Sequence, residues 1–206
     1  MDAMADAVRT DIRVVPASEA SWADLVAVVG PAKCHGGPCY CQRFKIPPAQ
    51  WRSISADQRA QRLREQTHCD ERGSGSTCGL VAYQGDMPVG WCRVEPRSGY
   101  AWLGKTPWAG RNEDPSDQSV WAVACFLVRA ERRRRGITQV LAREAAQFAR
   151  DRGATAVEGY PMEVVSGQSV TWGELHVGSV DGFLDAGFSV IGRPSKRRAV
   201  VRLDLP

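Results

Sequence analysis

The sequence predicts a mixed α/β (α+β) fold in which helices cover the faces of one sheet. Three observations predict it. Apolar segments typical of strands alternate along the chain with segments whose apolar residues recur at helical spacing. The strongest strand, Val120 to Val128, is apolar at nearly every position, as expected for a strand covered on both faces. The 206 residues are 43% apolar and 24% charged, which is the composition of an ordinary folded domain.

The first 72 residues are predicted to form a strand, two helices and a loop. The strand covers residues 11–16, and Ser18 is the predicted N-cap of the first helix. A loop rich in cysteine, glycine and proline spans residues 31–48. A polar helix is expected over residues 56–71, where glutamine, arginine and glutamate are dense.

A glycine-serine run at residues 73–76 marks the start of the remaining part, residues 73–206. The turn pair Gly85-Asp86 predicts a hairpin, Gly153 ends the helix that follows the central strand, and a turn is expected at Pro194. The predicted elements are a hairpin (79–84 and 89–94), a loop (95–118), a strand (120–128), a helix (136–152), a strand (155–160), a short helix (179–187) and two closing strands (188–191 and 199–203). We expect both parts to form one domain over residues 1–206.

Charge and cysteine content argue against several classes of protein. The net charge of +4 is modest, so it does not by itself indicate a nucleic-acid partner. No segment has the about 20 consecutive apolar residues that span a bilayer, and the N-terminus lacks an apolar signal-peptide core. Seven cysteines without such a signal favour free thiols in a reducing compartment. We therefore predict a soluble, cytoplasmic protein with neither a membrane nor a nucleic-acid partner.

The most informative segment follows the strand that ends at Val128. It reads Arg133-Arg134-Arg135-Gly136-Ile137-Thr138 and opens a helix. A helix N-terminus presents unpaired N–H groups and about half a positive charge, so it favours a phosphate. Gly136 lets the backbone approach closely, and the arginines add charge-assisted hydrogen bonds. The segment is predicted to bind a pyrophosphate; the alternative is that the arginines only solubilise the helix start.

This segment resembles the cofactor loop of the GNAT superfamily of acyltransferases. In that family the loop reads Gln or Arg, two variable residues, Gly, one variable residue, then Gly or Ala. Arg133, Gly136 and Thr138 stand at the three positions, with Thr138 departing from the usual small residue. The resemblance covers about residues 79–203 and includes the segment 183–188, Phe-Leu-Asp-Ala-Gly-Phe, which is similar to the family's aromatic, three residues, Gly-Phe signature.

The resemblance implies a GNAT fold, with a mostly antiparallel central sheet of about six or seven strands and helices on both faces. It also implies acetyl-CoA as cosubstrate. Two central strands would splay apart after Val128, and the pantetheine arm would pair with backbone groups of Phe126, Leu127 and Val128. The implied pyrophosphate-binding residues are Arg133, Arg134, Arg135, Gly136, Ile137, Thr138 and Gln139.

The resemblance further implies direct attack of an amine on the thioester, helped by a base and an acid. In many members the acid is a tyrosine at the position of Phe183, and phenylalanine cannot donate a proton. Tyr160 is the local substitute and Glu158 the candidate base, although each could instead be a packing or an exposed strand residue. Glu95 is a third candidate. Cys125 could form an acyl-enzyme, or could be a small core residue.

The segment 34–41, Cys-His-Gly-Gly-Pro-Cys-Tyr-Cys, contains three thiols and one imidazole in eight residues. These groups could ligate zinc, but zinc sites usually spread two ligand pairs further apart, so no metal is predicted. The stretch resembles a Cys-aromatic-Cys loop of one GNAT subgroup, which implies a substrate-side role with Tyr40, Phe44 and Trp51 around the acceptor. The roles of Cys34, Cys39 and Cys41 stay open, because a tight turn packed under the helices is the alternative.

The leading hypothesis is an acetyl-CoA-dependent N-acetyltransferase that acts on a primary amine of a small molecule or a protein. A catalytically silent acyl-CoA sensor on the same scaffold is the second, and a zinc-stapled nucleic-acid binder is the third. The loops over residues 33–51 and 95–118 are expected to line the acceptor pocket and to set specificity. The terminal strands leave an edge through which a homodimer could form. His68 and His176 have no evident partners and are expected to be ordinary polar residues.

Overall fold

The computed structural model describes residues 11–206 except 35, 36, 52, 104, 105, 109, 110 and 165–170. Its strands are β1 Ile12–Pro16, β2 Lys33–Cys34, β3 Gly37–Pro38, β4 Gly79–Gln84, β5 Met87–Pro96, β6 Val120–Val128, β7 Ala156–Gly159, β8 Ser189–Ser195 and β9 Arg198–Asp204. One seven-stranded sheet has the order β1-β4-β5-β6-β7-β9-β8, while β2 and β3 pair with each other. The β6–β7 pair is parallel and the other pairs are antiparallel, which confirms the predicted mixed, mostly antiparallel sheet.

Helices cover both faces of this sheet. They are α1 Trp22–Val29, α2 Pro48–Trp51, α3 Ala56–Thr67, α4 Ile137–Arg150, α5 Trp172–Leu175 and α6 Val180–Leu184. Helix α4 buries Leu141, Ala145 and Phe148 in one core cluster, as its apolar spacing predicted. Leu25 of α1 and Leu63 of α3 are buried in a second cluster. In the part of the chain that the structure describes, no helix is both long and apolar enough to cross a membrane.

Helix α1 begins three residues later than the sequence predicted. Ser18 lies inside a single 3-10 turn, Ala17–Glu19, so it is not the N-cap. The N-cap is Ser21, whose hydroxyl accepts a hydrogen bond from the Asp24 amide at 3.0 Å. The sequence contains serine at both positions, and only the path of the chain into the helix distinguishes them.

Two further boundaries were also wrong. Helix α3 ends at Thr67 rather than near residue 71, because His68 takes a left-handed conformation with φ 52° and stops the helix. Strand β8 continues through Pro194, so the closing turn follows Ser195. Proline is tolerated there because β8 is an edge strand and needs fewer backbone donors.

The middle of β6 positions the candidate site. The pairing of β6 with β5 shifts register between Arg93 and Val94, since Ala124 is an extra residue on β6. Parallel pairing of β6 with β7 ends at Val123 and Gly159. Strand β6 continues beyond this point to Val128, so its edge toward β7 is no longer covered by that strand.

Candidate active site

The predicted pyrophosphate loop joins β6 to α4 and has a backbone suited to anion binding. Arg134 and Gly136 have φ of 61° and 75°, in the left-handed region that turns the chain into α4. Gly136 is the N-cap of α4 and provides no side-chain cap. The N–H groups of the first helical turn, from Ile137 to Gln139, therefore keep their capacity to bind an anion.

A cavity of about 500 Å³ lies beside this loop. Its wall includes most of the predicted cofactor residues: Phe126, Val128, Arg133, Arg134, Gly136, Ile137, Thr138 and Gln139. The opposite wall comes from α5, α6 and the segment between them, through Leu175, Gly178, Ser179 and Gly182. Leu127 does not line this cavity, because its side chain joins the core cluster of α1, and Arg135 is exposed outside it. The volume is typical of a cofactor-sized site.

The backbone of β6 directs alternate residues toward this cavity. The Arg129 amide donates to the Val89 carbonyl of β5 at 3.0 Å, so Leu127, two residues earlier, also faces β5. Phe126 and Val128 therefore direct their backbone groups to the other edge. There the Phe126 amide donates to the His176 carbonyl at 2.6 Å, and Arg133 Nε donates to the Val128 carbonyl at 3.3 Å.

Glu158 is fully buried in a cluster of charged side chains. Its Oε1 accepts hydrogen bonds from Arg111 and from Arg202, and its Oε2 accepts one from Arg97 at 3.1 Å. The Tyr160 hydroxyl also donates to Oε2, at 2.9 Å. Both oxygens thus accept two hydrogen bonds each, and three of the four donors are guanidinium groups. This geometry suits a structural ion cluster better than a base that must receive a proton.

Tyr160 is buried and its hydroxyl belongs to the same cluster. Burial raises its pKa well above 10, and the negative charge of Glu158 raises the pKa further. The phenol therefore retains its proton at neutral pH and donates it in a hydrogen bond to Glu158. The catalytic roles predicted for Glu158 and Tyr160 stay predictions, and the two side chains do lie together.

Phe183, which the resemblance places at the position of the family's usual tyrosine, packs into the core. Its ring contacts the rings of Phe126 and Phe188, with centroids 5.6 and 5.0 Å apart. A Cβ on Gly159 would lie 2.4 Å from the Phe183 Cζ atom, so only glycine fits there. The ring thus closes the space beside the end of β7.

A second polar cluster lies on the other side of the β6 bulge, around buried Arg93. Its guanidinium donates to the Cys41 carbonyl at 2.7 Å, to Glu95 at 2.9 Å and to Gln66 at 2.8 Å. Glu95 is also paired with Lys45 at 2.7 Å. Both oxygens of Glu95, the third candidate base, therefore already accept hydrogen bonds from cationic side chains.

The cysteine-rich loop brings thiols to this cluster. Cys39, Cys41 and Cys125 are buried. Burial raises the pKa of Cys41, but a hydrogen bond with Cys125 and the charge of Arg93 outweigh burial and leave the pKa at about 7. Among the described residues no three histidine, cysteine or acidic side chains are placed to hold a metal ion. His35, a member of the segment considered for zinc, lies outside them.

His176 was not recognised as a site residue from the sequence, and the structure places it beside the same cluster. The residue is 6% exposed, and its ring stacks on Phe44 with centroids 6.0 Å apart. It lines a small cavity together with Cys39, Cys41, Ala124 and Cys125. No spacing pattern could have indicated this, because His176 follows a four-residue helix and meets partners more than 50 residues away along the chain.

Comparisons with known proteins agree with this geometry. Residues 44–161 match the model of the acetyltransferase (GNAT) family. The match covers more than half of the chain and includes β4 to β7 and the loop before α4. No curated protein matches the chain in sequence.

Solved structures share the fold over nearly the whole chain. The GNAT domain of S. lividans PAT is 19% identical, with a TM-score of 0.51 over 94% of this chain and 89% of that chain. An N-acetyltransferase from Staphylococcus aureus Mu50 is 13% identical, with a TM-score of 0.51 over 94% and 96%. YncA from Salmonella typhimurium, solved with its cofactor acetyl-CoA, is 14% identical, with a TM-score of 0.53 over 95% of both chains. At these identities the likeness shows a common fold.

Proposed function

We propose that this chain, which belongs to the acetyltransferase (GNAT) family, is an acetyl-CoA-dependent N-acetyltransferase that acts on a primary amine of a small molecule or a protein. The observation that carries the proposal is the cavity of about 500 Å³ that joins the uncovered edge of β6 to the N-terminus of α4. Acetyl-CoA would supply the activated acyl group. The acceptor amine would attack that group directly.

The residues around this cavity fit a nucleotide thioester. The amides of the first turn of α4 suit the pyrophosphate, since they combine N–H donors with the positive end of the helix dipole. Arg133 and Arg134 add positive charge beside them. The edge of β6 at Phe126 and Val128 suits an extended arm that carries amide groups, as pantetheine does.

Calorimetric titration with coenzyme A tests the loop. Charge reversal of Arg134 and Arg135 together (R134E with R135E) is expected to weaken binding by at least about tenfold, because it replaces attraction for the phosphates by repulsion. The control is R62E with R72E, which changes the net charge equally at exposed sites away from the cavity. Equal affinity of both double variants, or no binding of coenzyme A to the wild-type protein at 1 mM (about 4 kcal/mol of binding free energy), would contradict the proposal.

A catalytically silent acyl-CoA-binding module is the second candidate function. Phe183 favours it, because its ring lacks the hydroxyl that the family usually provides. The Tyr160 hydroxyl, its predicted substitute, already donates to Glu158. Tight binding of acetyl-CoA without release of thiol in the presence of a panel of amines would support this candidate over the enzyme.

Other expectations from the sequence remain proposals. The N-terminal part contributes β1 to the same sheet as the rest, through pairing with β4, which supports one domain over residues 1–206. The chain is proposed to belong to the Cys-aromatic-Cys subgroup, with the loop around Tyr40 and Phe44 on the acceptor side. Cytoplasmic location, the absence of nucleic-acid and membrane partners, and a homodimer through a sheet edge are proposed on sequence grounds alone.

A further inference from the structure

Two cavities are lined by neighbouring residues of β6, at the place where β6 leaves β7. The larger one contains Phe126 and Val128 of β6, and the smaller one contains Ala124 and Cys125 from the bulge. The segment after α5 also contributes to both, with Leu175 and Gly178 in the larger cavity and His176 in the smaller. The hydrogen bond from the Phe126 amide to the His176 carbonyl ties the two segments together. His176 therefore lies at the boundary between the cofactor cavity and the face that carries the cysteine-rich loop.

The hydrogen bonds of the His176 ring determine which nitrogen is protonated. Nδ1 lies 2.7 Å from the Gly173 carbonyl oxygen, and because a carbonyl can only accept, Nδ1 carries the proton. Nε2 of the neutral ring is then an acceptor. It is buried and has no hydrogen-bond partner within the described part of the chain. An orphaned buried acceptor costs free energy, so its retention calls for an explanation.

Burial and the positive charge around the ring keep it neutral. Burial lowers the pKa of His176 to about 4, and the positive charges of Arg43 and Arg198 lower it too. The remaining titratable groups around the small cavity are Cys39, Cys41, Lys45, Arg93, Tyr100 and Cys125. At neutral pH the ring thus offers a free lone pair. The cavity beside it measures about 10 Å³, which is roughly the space of one water molecule or one amino group.

We propose that His176 Nε2 is the proton acceptor for the acceptor amine during acyl transfer, an inference that rests on the proposed function. The amine nitrogen attacks the thioester carbonyl carbon, and a C–N bond forms as the C–S bond breaks. The electron pair of the C–S bond leaves with the sulfur as the thiolate of coenzyme A. The proton lost by the amine moves to Nε2 and from there to solvent, while solvent protonates the thiolate.

The other candidate bases are less suited to this step. Four donors occupy Glu158, and Arg93 and Lys45 occupy Glu95. If His176 were purely structural, its contribution would come from the stacking of its ring on Phe44 and the hydrogen bond to the Gly173 carbonyl. Neither contact uses Nε2, and the unpaired nitrogen is the feature that a substrate amine would satisfy.

Thiol release from acetyl-CoA with hydroxylamine as acceptor tests the assignment. Hydroxylamine is a small amine that is uncharged at neutral pH, and the rate without enzyme is subtracted. His176→Gln is expected to lower kcat by about 100-fold or more while the KM for acetyl-CoA changes less than about threefold, which is the pattern for a lost proton acceptor. His68→Asn, at the left-handed C-cap of α3, is the control and is expected to keep the wild-type rate.

A second variant separates chemistry from packing. His176→Ala is expected to regain activity with added imidazole and not with pyrazole, which fills the same space but is a much weaker base. Equal effects of both additives, or a His176→Gln rate within about threefold of wild type, would overturn the assignment. So would a wild-type protein that binds acetyl-CoA and shows no hydroxylamine-dependent thiol release. Failure of the wild-type protein to bind acetyl-CoA in calorimetry would instead overturn the proposed function, on which the assignment of His176 rests.

Discussion

At the residue scale, the site is defined by which polar atoms already have partners. Glu158, Tyr160 and Glu95 have side chains of the right type for proton transfer, yet each is held by neighbouring charges or hydrogen bonds. His176 has the opposite character, since one ring nitrogen is fixed by Gly173 and the other has no partner among the described residues. The sequence favoured Glu158, Tyr160 and Glu95, whereas the unpaired nitrogen in the structure favours His176.

Phe183 provides a residue-scale prediction. Its Cζ atom points at Gly159 so closely that a Cβ there would lie 2.4 Å away. Phe183→Tyr would attach a hydroxyl at that atom, and we expect it to destabilise the protein by about 1–3 kcal/mol through overpacking rather than to restore an acid. Urea unfolding and thiol-release assays measure both effects. If Phe183→Tyr instead keeps wild-type stability and releases thiol faster, the space beside Gly159 has room for a tyrosine hydroxyl.

At the scale of elements, strand β6 lines both cavities, whereas the loop after it and helix α4 line the larger one. The register shift at Arg93 and Val94 brings Ala124 and Cys125 to one cavity, whereas Phe126 and Val128 line the other. The left-handed residues of the loop then aim the first turn of α4 at the larger cavity. A single strand thereby contributes to both the proposed cofactor site and the proposed acceptor site.

Two glycines at opposite ends of α4 test the loop. Gly136 and Gly153 have φ of 75° and 79°, so alanine at either position should cost about 1–2 kcal/mol of folding free energy. Only Gly136→Ala is expected to weaken the binding of coenzyme A, because Gly153 lies at the far end of the helix. Thermal unfolding and calorimetry of the two variants provide the comparison. Equal affinities for coenzyme A at matched stability would mean that the Gly136 backbone does not contribute to binding.

At the scale of the whole molecule, the Glu158 cluster joins segments far apart in the chain. Arg97 follows β5, Arg111 belongs to the loop before β6, Glu158 lies on β7 and Arg202 on β9. Arg97 and Glu158 are fully buried, so neither charge can be solvated if the other is removed. The cluster therefore stabilises one half of the sheet against the loop that covers it.

Glu158→Gln is expected to lower the free energy of unfolding by about 3–5 kcal/mol, because the three guanidinium groups lose a buried carboxylate and then share only that of Glu113, which is partly exposed. The rate per folded molecule should change by less than about tenfold if the carboxylate is structural. Denaturant unfolding and thiol release below the unfolding transition measure the two quantities. A hundredfold loss of rate at unchanged stability would support the catalytic role that the sequence predicted for Glu158.

The sequence by itself determined the features that depend on local chemistry and periodicity. The apolar strand β6, the stripe of α4 and the Arg-Gly loop are contiguous, so the mixed sheet and the candidate phosphate site could be predicted from them. The N-cap Ser21 and the end of α3 could not, since neighbouring serines and polar residues fit either position equally well.

Only the tertiary structure decided which side chains meet. The partners of Glu158 come from three segments distant in sequence. His176 lies about 50 residues after the β6 bulge in the sequence, yet it lines the same small cavity as the bulge residues and Cys41. Contacts of this kind depend on strand order and register, which no local pattern of residues encodes. For that reason cofactor-binding residues could be proposed from the sequence, whereas a proposal among the possible proton acceptors required the burial and the hydrogen bonds of each group.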